Sequence, residues 1–154
     1  MDADLRLDAQ LCFALYAASR ATTAAYRAPL AELGLTYPQY LALLALWEEE
    51  GQTVSALGAR LRLDSGTLSP LLKRMEGGGL LERHRDPADE RRVTVHLTDA
   101  GSRLRERAPG VQRRVLEASG LTVEEMADLR RLARKIGAPD TSDNDNDNDN
   151  DNEE

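Results

Sequence analysis

The sequence predicts a mainly α-helical domain with six helices and one small β-hairpin, arranged as a winged helix-turn-helix. Helical apolar periodicity runs through most of residues 7–136, whereas a stretch near residues 80–97 alternates with a period of two. Two short helices joined by a tight turn come directly before that stretch, and further helices follow it. A tightly joined helix pair followed by a hairpin is the order of elements in a winged helix-turn-helix.

Two long helices are predicted at the beginning of the chain. Apolar residues and alanines recur every three or four positions from Leu7 to Leu33, and Gly34 ends the run. The segment Thr36–Gln39 is a capping box with a proline inside the first turn, so a second helix begins there and ends near Gly51.

Capping residues and glycines mark the other helices. Thr53 is expected to cap a short third helix through Leu61, and either Asp64 or Ser65 caps a fourth helix that the triple glycine 77–79 ends. The remaining signals are Thr98 at the start of the fifth helix, Pro109 as its interruption or end, and the capping box Thr122–Glu125 of the sixth.

The predicted hairpin pairs two short strands around a polar tip. Its strands are residues 80–85 and 93–97, and the segment between them contains a proline and several charges. Val93, Val95 and Leu97 alternate with polar residues, which is the pattern of a strand with one buried face.

The overall charge of −7 is unfavourable for binding nucleic acid, but its distribution is uneven. Residues 140–154 contain eight acidic side chains and no basic ones, whereas residues 1–139 carry 20 basic and 19 acidic side chains. The Asp-Asn repeat of residues 143–152 has no apolar residue to bury. We therefore expect one folded domain over residues 1–139 and a disordered acidic tail over residues 140–154.

Composition excludes several other classes of protein. No apolar run approaches the roughly 20 residues of a membrane-spanning helix, and no signal peptide is recognisable. Cys12 is the only cysteine, so no intramolecular disulfide forms, and with His84 and His96 alone a zinc site is not expected. Both histidines are expected to be ordinary strand residues. The sequence thus predicts a cytoplasmic protein without metal or cofactor.

The fourth helix has one apolar face and one face suited to DNA. Its apolar stripe consists of Leu68, Leu71, Leu72 and Met75. The other side carries small residues, hydroxyls and two cations, which allow close approach to a groove and contact with phosphates and base edges. These candidate DNA-binding residues are Ser65, Gly66, Thr67, Ser69, Pro70, Lys73 and Arg74. An ordinary amphipathic surface helix would show the same pattern.

The hairpin adds a cluster of arginines, which favours DNA binding. The candidate DNA-binding residues here are Arg83, Arg85, Asp89, Arg91 and Arg92. Arginine-rich hairpin tips fit a narrow minor groove, and the interspersed acids are expected to hold the arginines by ion pairs. A solvated turn of mixed charge is the alternative explanation.

These segments together resemble the MarR family. The resemblance rests on the residues 63–76, Gly79-Leu-Leu, and Asp86-Pro-Ala-Asp-Glu-Arg-Arg92. It implies a homodimer formed by the helices at about 7–33 and 98–136, with the DNA-binding part at about 53–97. The partner implied is double-stranded DNA with a pseudo-palindromic operator. The fourth helix would enter the major groove, and Arg91, supported by Asp89, would enter the minor groove.

Cys12 lies on a helix face rich in hydroxyls. Tyr16, Thr23 and Tyr26 share that face, and a cap at Asp8 would place the thiol near the positive end of the helix. Phenol donors and a helix N-terminus both stabilise a thiolate. Tyr26 is 14 residues away, about 21 Å along a helix, so only a partner subunit could bring it to Cys12. A small buried hydrophobe is the alternative role for this cysteine.

The segments 11–20 and 35–43 resemble one branch of the MarR family, the organic hydroperoxide resistance regulators. The resemblance implies that Cys12 reacts with the peroxide and that Tyr16, Tyr26 and Tyr37 hydrogen-bond to it, partly across the dimer. It also implies a repressor that releases its operator on oxidation. Since a resolving cysteine is lacking, a low-molecular-weight thiol or over-oxidation must complete the switch.

Two other functions remain open from the residues alone. A MarR-type repressor could be released by a small phenolic or apolar ligand, with Cys12 incidental. A thiol peroxidase could use Cys12 for turnover, although it would need a resolving partner and would leave the hairpin without a role. We therefore expect a regulator and not an enzyme.

Overall fold

The computed structural model describes residues 5–89 and 91–136, so the predicted acidic tail lies outside the described residues. The helices are α1 (Leu11–Ala31), α2 (Tyr37–Glu48), α3 (Val54–Leu61), α4 (Ser65–Gly77), α5 (Asp99–Arg103), α6 (Ala108–Ser119) and α7 (Val123–Ile136). The strands are β1 (Leu81–Arg85) and β2 (Val93–Leu97). This order confirms the predicted fold class.

The helix pair α3–α4 is fixed by its caps and by a close backbone approach. Thr53 accepts a hydrogen bond from the Ala56 amide at 3.1 Å and caps α3. Asp64 accepts a hydrogen bond from the Thr67 amide at 2.9 Å and caps α4. Hydrogen bonds from the amide and the side chain of Thr67 hold the pKa of the Asp64 carboxyl below its usual range. Gly58 lies inside α3 and faces the turn that follows this helix, so a Cβ at Gly58 would lie only 3.1 Å from the Leu63 carbonyl oxygen.

Strands β1 and β2 form an antiparallel hairpin in which Arg83 lies opposite Val95. The hairpin is joined on its other side to the chain before α3, since the Gly51 amide donates to the Val95 carbonyl and the Val95 amide to the Gln52 carbonyl. Leu81 and Val95 are fully buried against the helices. The base of the hairpin is thus anchored in the core while its tip projects beyond it.

The core of the first unit is built around α2, whose side chains Tyr40, Leu43 and Leu46 are almost completely buried. The predicted stripe of α4 packs there as expected, because Leu68, Leu71, Leu72 and Met75 are all buried. Gly101 in α5 completes the packing. Its carbonyl accepts a hydrogen bond from the Trp47 indole at 3.0 Å, and its Cα lies so close to the Leu80 carbonyl that a Cβ would overlap with that oxygen.

Two helices differ in detail from the sequence expectation. The helix expected from Leu7 begins only at Leu11, because residues Leu7–Ala9 form a separate 3-10 turn. The expected fifth helix consists of α5, a 3-10 turn over Leu104–Arg107, and α6, which has Pro109 in its first turn. Proline lacks the amide that would continue the preceding hydrogen-bond ladder, so the helix changes its winding there.

The chain divides into two compact units after Gly120, and α7 belongs to the second. Its reciprocal capping box is confirmed, since the Thr122 amide donates to Glu125 at 2.8 Å and the Glu125 amide to the Thr122 hydroxyl at 3.2 Å. Its apolar residues Leu129, Leu132 and Ile136 are exposed. Among the described residues, none of the helices combines the length and apolarity required to cross a bilayer.

Candidate nucleic-acid interface and thiol site

The outer face of α4 is fully available to a ligand. The residues predicted to read DNA from this helix are all exposed, namely Ser65, Gly66, Thr67, Ser69, Pro70, Lys73 and Arg74. The face contains two cations and no carboxylate after the capping Asp64 until Glu76 in the last turn. Its chemistry therefore matches that of a helix that contacts phosphates and base edges.

A cleft of about 640 Å³ separates this helix pair from the hairpin. Ser65 and Ser69 of α4 line one side, and Arg91 and Arg92 of the hairpin line the other. Hydroxyls on one wall and guanidinium groups on the other are donors that a phosphate backbone accepts. The structure thus places the two predicted DNA-binding groups around one concave surface.

The hairpin tip is held by backbone hydrogen bonds to its acids. The Asp86 carboxylate accepts from the Ala88 amide at 2.9 Å, and the Asp89 carboxylate accepts from the Arg91 amide at 3.1 Å. Neither acid forms an ion pair with a tip arginine among the residues the structure describes, which differs from our expectation. Short carboxylates reach local amides more readily than distant guanidinium groups, so Asp86 and Asp89 shape the turn while Arg85, Arg91 and Arg92 stay exposed.

Arg83 behaves differently from the other hairpin arginines. Its guanidinium binds the carboxylate of Glu76 in the last turn of α4, with Nε–Oε2 at 3.1 Å and Nη2–Oε2 at 2.6 Å. These hydrogen bonds from the Arg83 side chain hold the pKa of the Glu76 carboxyl below its usual range. The sequence analysis missed Glu76, although strand alternation places Arg83 on the same face as Leu81, toward α4.

The two histidines lie on the opposite face of the hairpin from Arg83. Their rings stack with centroids 4.7 Å apart, and His84 contacts Glu82 at 3.2 Å while His96 contacts Thr94 at 3.0 Å. Both are strand residues, as predicted. Within residues 5–89 and 91–136, no three histidine, cysteine or acidic side chains come together as a metal site would require.

Cys12 is exposed and occupies the second residue of α1. The N-cap of this helix is Gln10 and not Asp8, because Asp8 belongs to the preceding 3-10 turn. The thiol is therefore even closer to the helix N-terminus than the sequence suggested. Within the single chain, Cys12 is therefore not part of the core.

Tyrosines form two separate groups in the single chain. Tyr16 lies one turn beyond Cys12, and its hydroxyl accepts a hydrogen bond from Arg20 at 3.0 Å. The rings of Tyr26 and Tyr37 pack at a tilt of 42° with centroids 4.9 Å apart, and the ring of Tyr40, which the sequence analysis did not single out, lies 5.8 Å from that of Tyr26. Tyr26 of α1 and Tyr37 of α2 are thus brought together, but they lie near the end of α1 that is distant from Cys12.

Two tyrosines of the second group, Tyr26 and Tyr40, have a raised pKa. Burial, and then the neighbouring Tyr37 and Tyr40, raise the pKa of Tyr26, and burial raises that of Tyr40. A phenol with a raised pKa keeps its proton and remains a hydrogen-bond donor. An anionic sulfur or a peroxide oxygen can accept that hydrogen bond. The spacing of Tyr37 and Tyr40 by three residues on α2 was the available signal for Tyr40.

Replacement of Tyr40 by phenylalanine tests whether its hydroxyl is needed for folding. The Tyr40 hydroxyl is buried and forms no hydrogen bond with a described residue, despite the neighbouring Gln112 side chain. We expect Tyr40→Phe to leave the free energy of unfolding unchanged or to raise it by up to about 1 kcal/mol, since an unpaired buried hydroxyl is destabilising. Chemical denaturation followed by circular dichroism measures this. A loss of stability would mean that the hydroxyl is hydrogen-bonded, either to the neighbouring Gln112 side chain or in the assembled protein.

Comparison with known proteins gives a consistent result. The model of the MarR family matches residues 35–93. The chain is 54% identical over 119 residues to the HTH-type transcriptional regulator TtmR of Methylorubrum extorquens strain PA1, covering 77% of this chain and 61% of that regulator. It is 49% identical over 128 residues to the organic hydroperoxide resistance transcriptional regulator of Bacillus subtilis strain 168, covering 83% and 85% of the two chains.

Solved structures show the same similarity. Reduced AbfR of Staphylococcus epidermidis, bound to DNA, superimposes with a TM-score of 0.72 at 38% identity, covering 86% of this chain and 91% of AbfR. AbfR has also been solved in an overoxidized form bound to DNA and in a disulfide form.

Proposed function

The chain belongs to the MarR family, whose members are DNA-binding transcriptional regulators and not enzymes, and we propose that it is a repressor released from its operator by organic hydroperoxides. The observation that carries this proposal is the exposed Cys12 thiol in the first turn of α1, with Tyr16 one turn away. The 49% identity to the Bacillus subtilis regulator supports it. A repressor of this kind acts in the cytoplasm, where its thiol is kept reduced.

The DNA surface of the proposal consists of the exposed face of α4 and the hairpin tip. Reduced AbfR has been solved bound to DNA. As a homodimer, the present chain would offer two such surfaces to the two halves of a pseudo-palindromic operator. The apolar residues exposed on the terminal segments, such as Leu11 in α1 and Leu132 in α7, are suited to a dimer interface. In this arrangement α4 enters the major groove and Arg91 the minor groove.

The proposed reaction begins at the Cys12 sulfur. A thiolate at the second residue of a helix is stabilised by the positive end of the helix. It attacks the terminal oxygen of the hydroperoxide, the O–O bond breaks, and the products are a sulfenic acid and, after protonation, an alcohol. Leu11, Phe13 and Leu15 provide apolar surroundings that favour an organic peroxide.

A small thiol completes the proposed switch, because the chain has no second cysteine. The thiol condenses with the sulfenic acid to a mixed disulfide and releases water. Overoxidized AbfR has been seen on DNA, so we expect added bulk at Cys12 to cause release more effectively than further oxidation alone. Tyr26 and Tyr37 of a partner subunit would lose their hydrogen bonds to the sulfur, and the spacing of the two α4 helices would change.

Operator binding by the wild type and Cys12→Ser, with and without cumene hydroperoxide and a small thiol, tests the proposal. The probe is a duplex that the wild-type protein has selected from a random-sequence pool, measured by filter binding. We expect peroxide and thiol together to weaken wild-type binding by on the order of a hundredfold, which is a coupling of about 3 kcal/mol. Cys12→Ser should bind the duplex equally with and without the oxidant.

One control variant and two contrary outcomes complete the test. Met126→Leu removes another partly exposed sulfur and should respond like the wild type. Equal release of DNA by the wild type and Cys12→Ser would refute the thiol switch and favour a ligand-binding regulator. Consumption of many equivalents of peroxide per protein would instead indicate a thiol peroxidase.

A further inference from the structure

Glu76 and Arg83 connect the last turn of α4 to the middle of strand β1. The carboxylate of Glu76 accepts three hydrogen bonds from Arg83, one from its amide at 3.2 Å and two from its guanidinium at 3.1 and 2.6 Å. Both side chains are about one third exposed, at 37% and 31%. A charge-assisted grip at several points fixes distance and orientation better than a single bond does.

The chain between these two residues is poorly suited to fix that geometry by itself. It contains the glycines 77–79, and Gly79 has a left-handed φ of +70°. Thr98 anchors the end of this link, since its hydroxyl donates to the Gly79 carbonyl at 2.6 Å. Arg83 lies further toward the hairpin tip, so Glu76 holds a part of the hairpin that the anchor at its base does not reach.

One member of the pair, Arg83, also lines the cleft between α4 and the hairpin. Arg91 and Arg92 line this cleft as well. With Glu76 bound, however, the Arg83 charge is neutralised by a carboxylate, unlike the guanidinium groups at the tip. The expected role of Arg83 as one more phosphate contact is therefore less consistent with the structure than a role in positioning.

We propose that Glu76 and Arg83 are positioning residues that hold the hairpin at the angle to α4 at which Arg91 and the α4 face contact the same DNA duplex. The proposal rests on the DNA surface given under Proposed function. Neither residue needs to touch DNA for this role. The pair makes the affinity depend on a carboxylate that, by its charge alone, would repel the phosphates.

Because of this repulsion, the direction in which Glu76→Gln changes the DNA affinity tests the proposal. Glu76→Gln removes a negative charge near the DNA, so simple electrostatics predicts tighter binding. The positioning role predicts the opposite, namely a loss of about fivefold to tenfold in affinity for the selected duplex. Glu82→Gln is the matched control, because Glu82 lies on the other face of β1 and should bind as tightly as the wild type or slightly tighter.

A double-mutant cycle with Arg91→Ala separates positioning from mere stability. If Glu76 positions the tip, Arg91→Ala should lower the affinity on the order of tenfold per hairpin in the wild type, but by less than about threefold per hairpin in Glu76→Gln. In the Glu82→Gln background it should cost the same as in the wild type. Arg83→Lys keeps the charge but loses the paired guanidinium hydrogen bonds to Glu76. It should therefore also reduce the loss of affinity caused by Arg91→Ala. This variant serves as a second test if Glu76→Gln folds poorly.

The outcomes distinguish this proposal from the one on which it rests. An equal cost of Arg91→Ala in all backgrounds, or tighter binding by Glu76→Gln, would overturn the positioning role while leaving the DNA surface intact. If Arg91→Ala had no effect even in the wild type, the DNA surface itself would be wrong, and the role of the pair with it. A lower salt dependence in Arg83→Met but not in Glu76→Gln would assign Arg83 to direct phosphate contact and also refute the proposal.

Discussion

Arg91→Ala is expected to weaken binding to the selected duplex on the order of tenfold per hairpin and to lower its salt dependence. The Arg91 side chain is exposed at the hairpin tip, and within the described parts of the chain it forms no ion pair. It is therefore available to displace counterions from DNA. Each lost contact should reduce the slope of log K against log salt by about 1, hence by about 2 for a dimer.

Arg113→Ala is the matched control for this prediction. Arg113 is an exposed arginine on α6, 75% accessible, and its neighbour is Glu117 on the same helix. Its removal changes the net charge equally but should leave the slope unchanged. Filter binding between 50 and 200 mM salt, a range over which phosphate contacts change affinity by orders of magnitude, is sufficient. Equal slopes for Arg91→Ala and the wild type would remove Arg91 from the DNA surface.

Gly101→Ala is expected to produce the largest loss of stability, roughly 3 kcal/mol or more. The added methyl group would overlap with the Leu80 carbonyl oxygen, which is backbone and cannot turn away. Relief of the overlap requires α5 to move, and the Trp47 indole would then lose its bond to the Gly101 carbonyl. Thermal unfolding followed by circular dichroism should show a midpoint about 10 °C lower.

Gly110→Ala provides the comparison for that variant. Gly110 lies in α6, and nothing lies within 4 Å of the position that its Cβ would take. Alanine is the better helix former by about 1 kcal/mol, so this variant should be as stable as the wild type or more stable. Equal midpoints for the two alanine variants would show that the contact between Gly101 and Leu80 is not tight.

Local signals predicted most of the fold. Thr53 and Thr122 cap their helices as expected, and the four residues of the α4 stripe are buried together. These features depend on neighbours within one or two turns, which a sequence displays directly. The same holds for the hairpin, because alternation in β2 and the charged tip are both local.

Contacts between residues on different elements could not be predicted from the local sequence patterns. Glu76 looked like an ordinary polar residue near the end of a helix, and its partner became apparent only when the strand was placed beside it. The start of α1 at Leu11 was also missed, since the apolar spacing continues through the 3-10 turn at Leu7–Ala9.

Trp47 is the single tryptophan of the chain, and its surroundings make it a natural optical probe. Its indole donates to the Gly101 carbonyl, and its ring lies edge-on to Tyr40, 6.2 Å away. Its emission should therefore respond both to movement at α5 and to rearrangement of the tyrosines, without any added dye. Excitation of the tyrosines should transfer energy to this one indole, so a peroxide-induced change in the tyrosine group could be followed in real time.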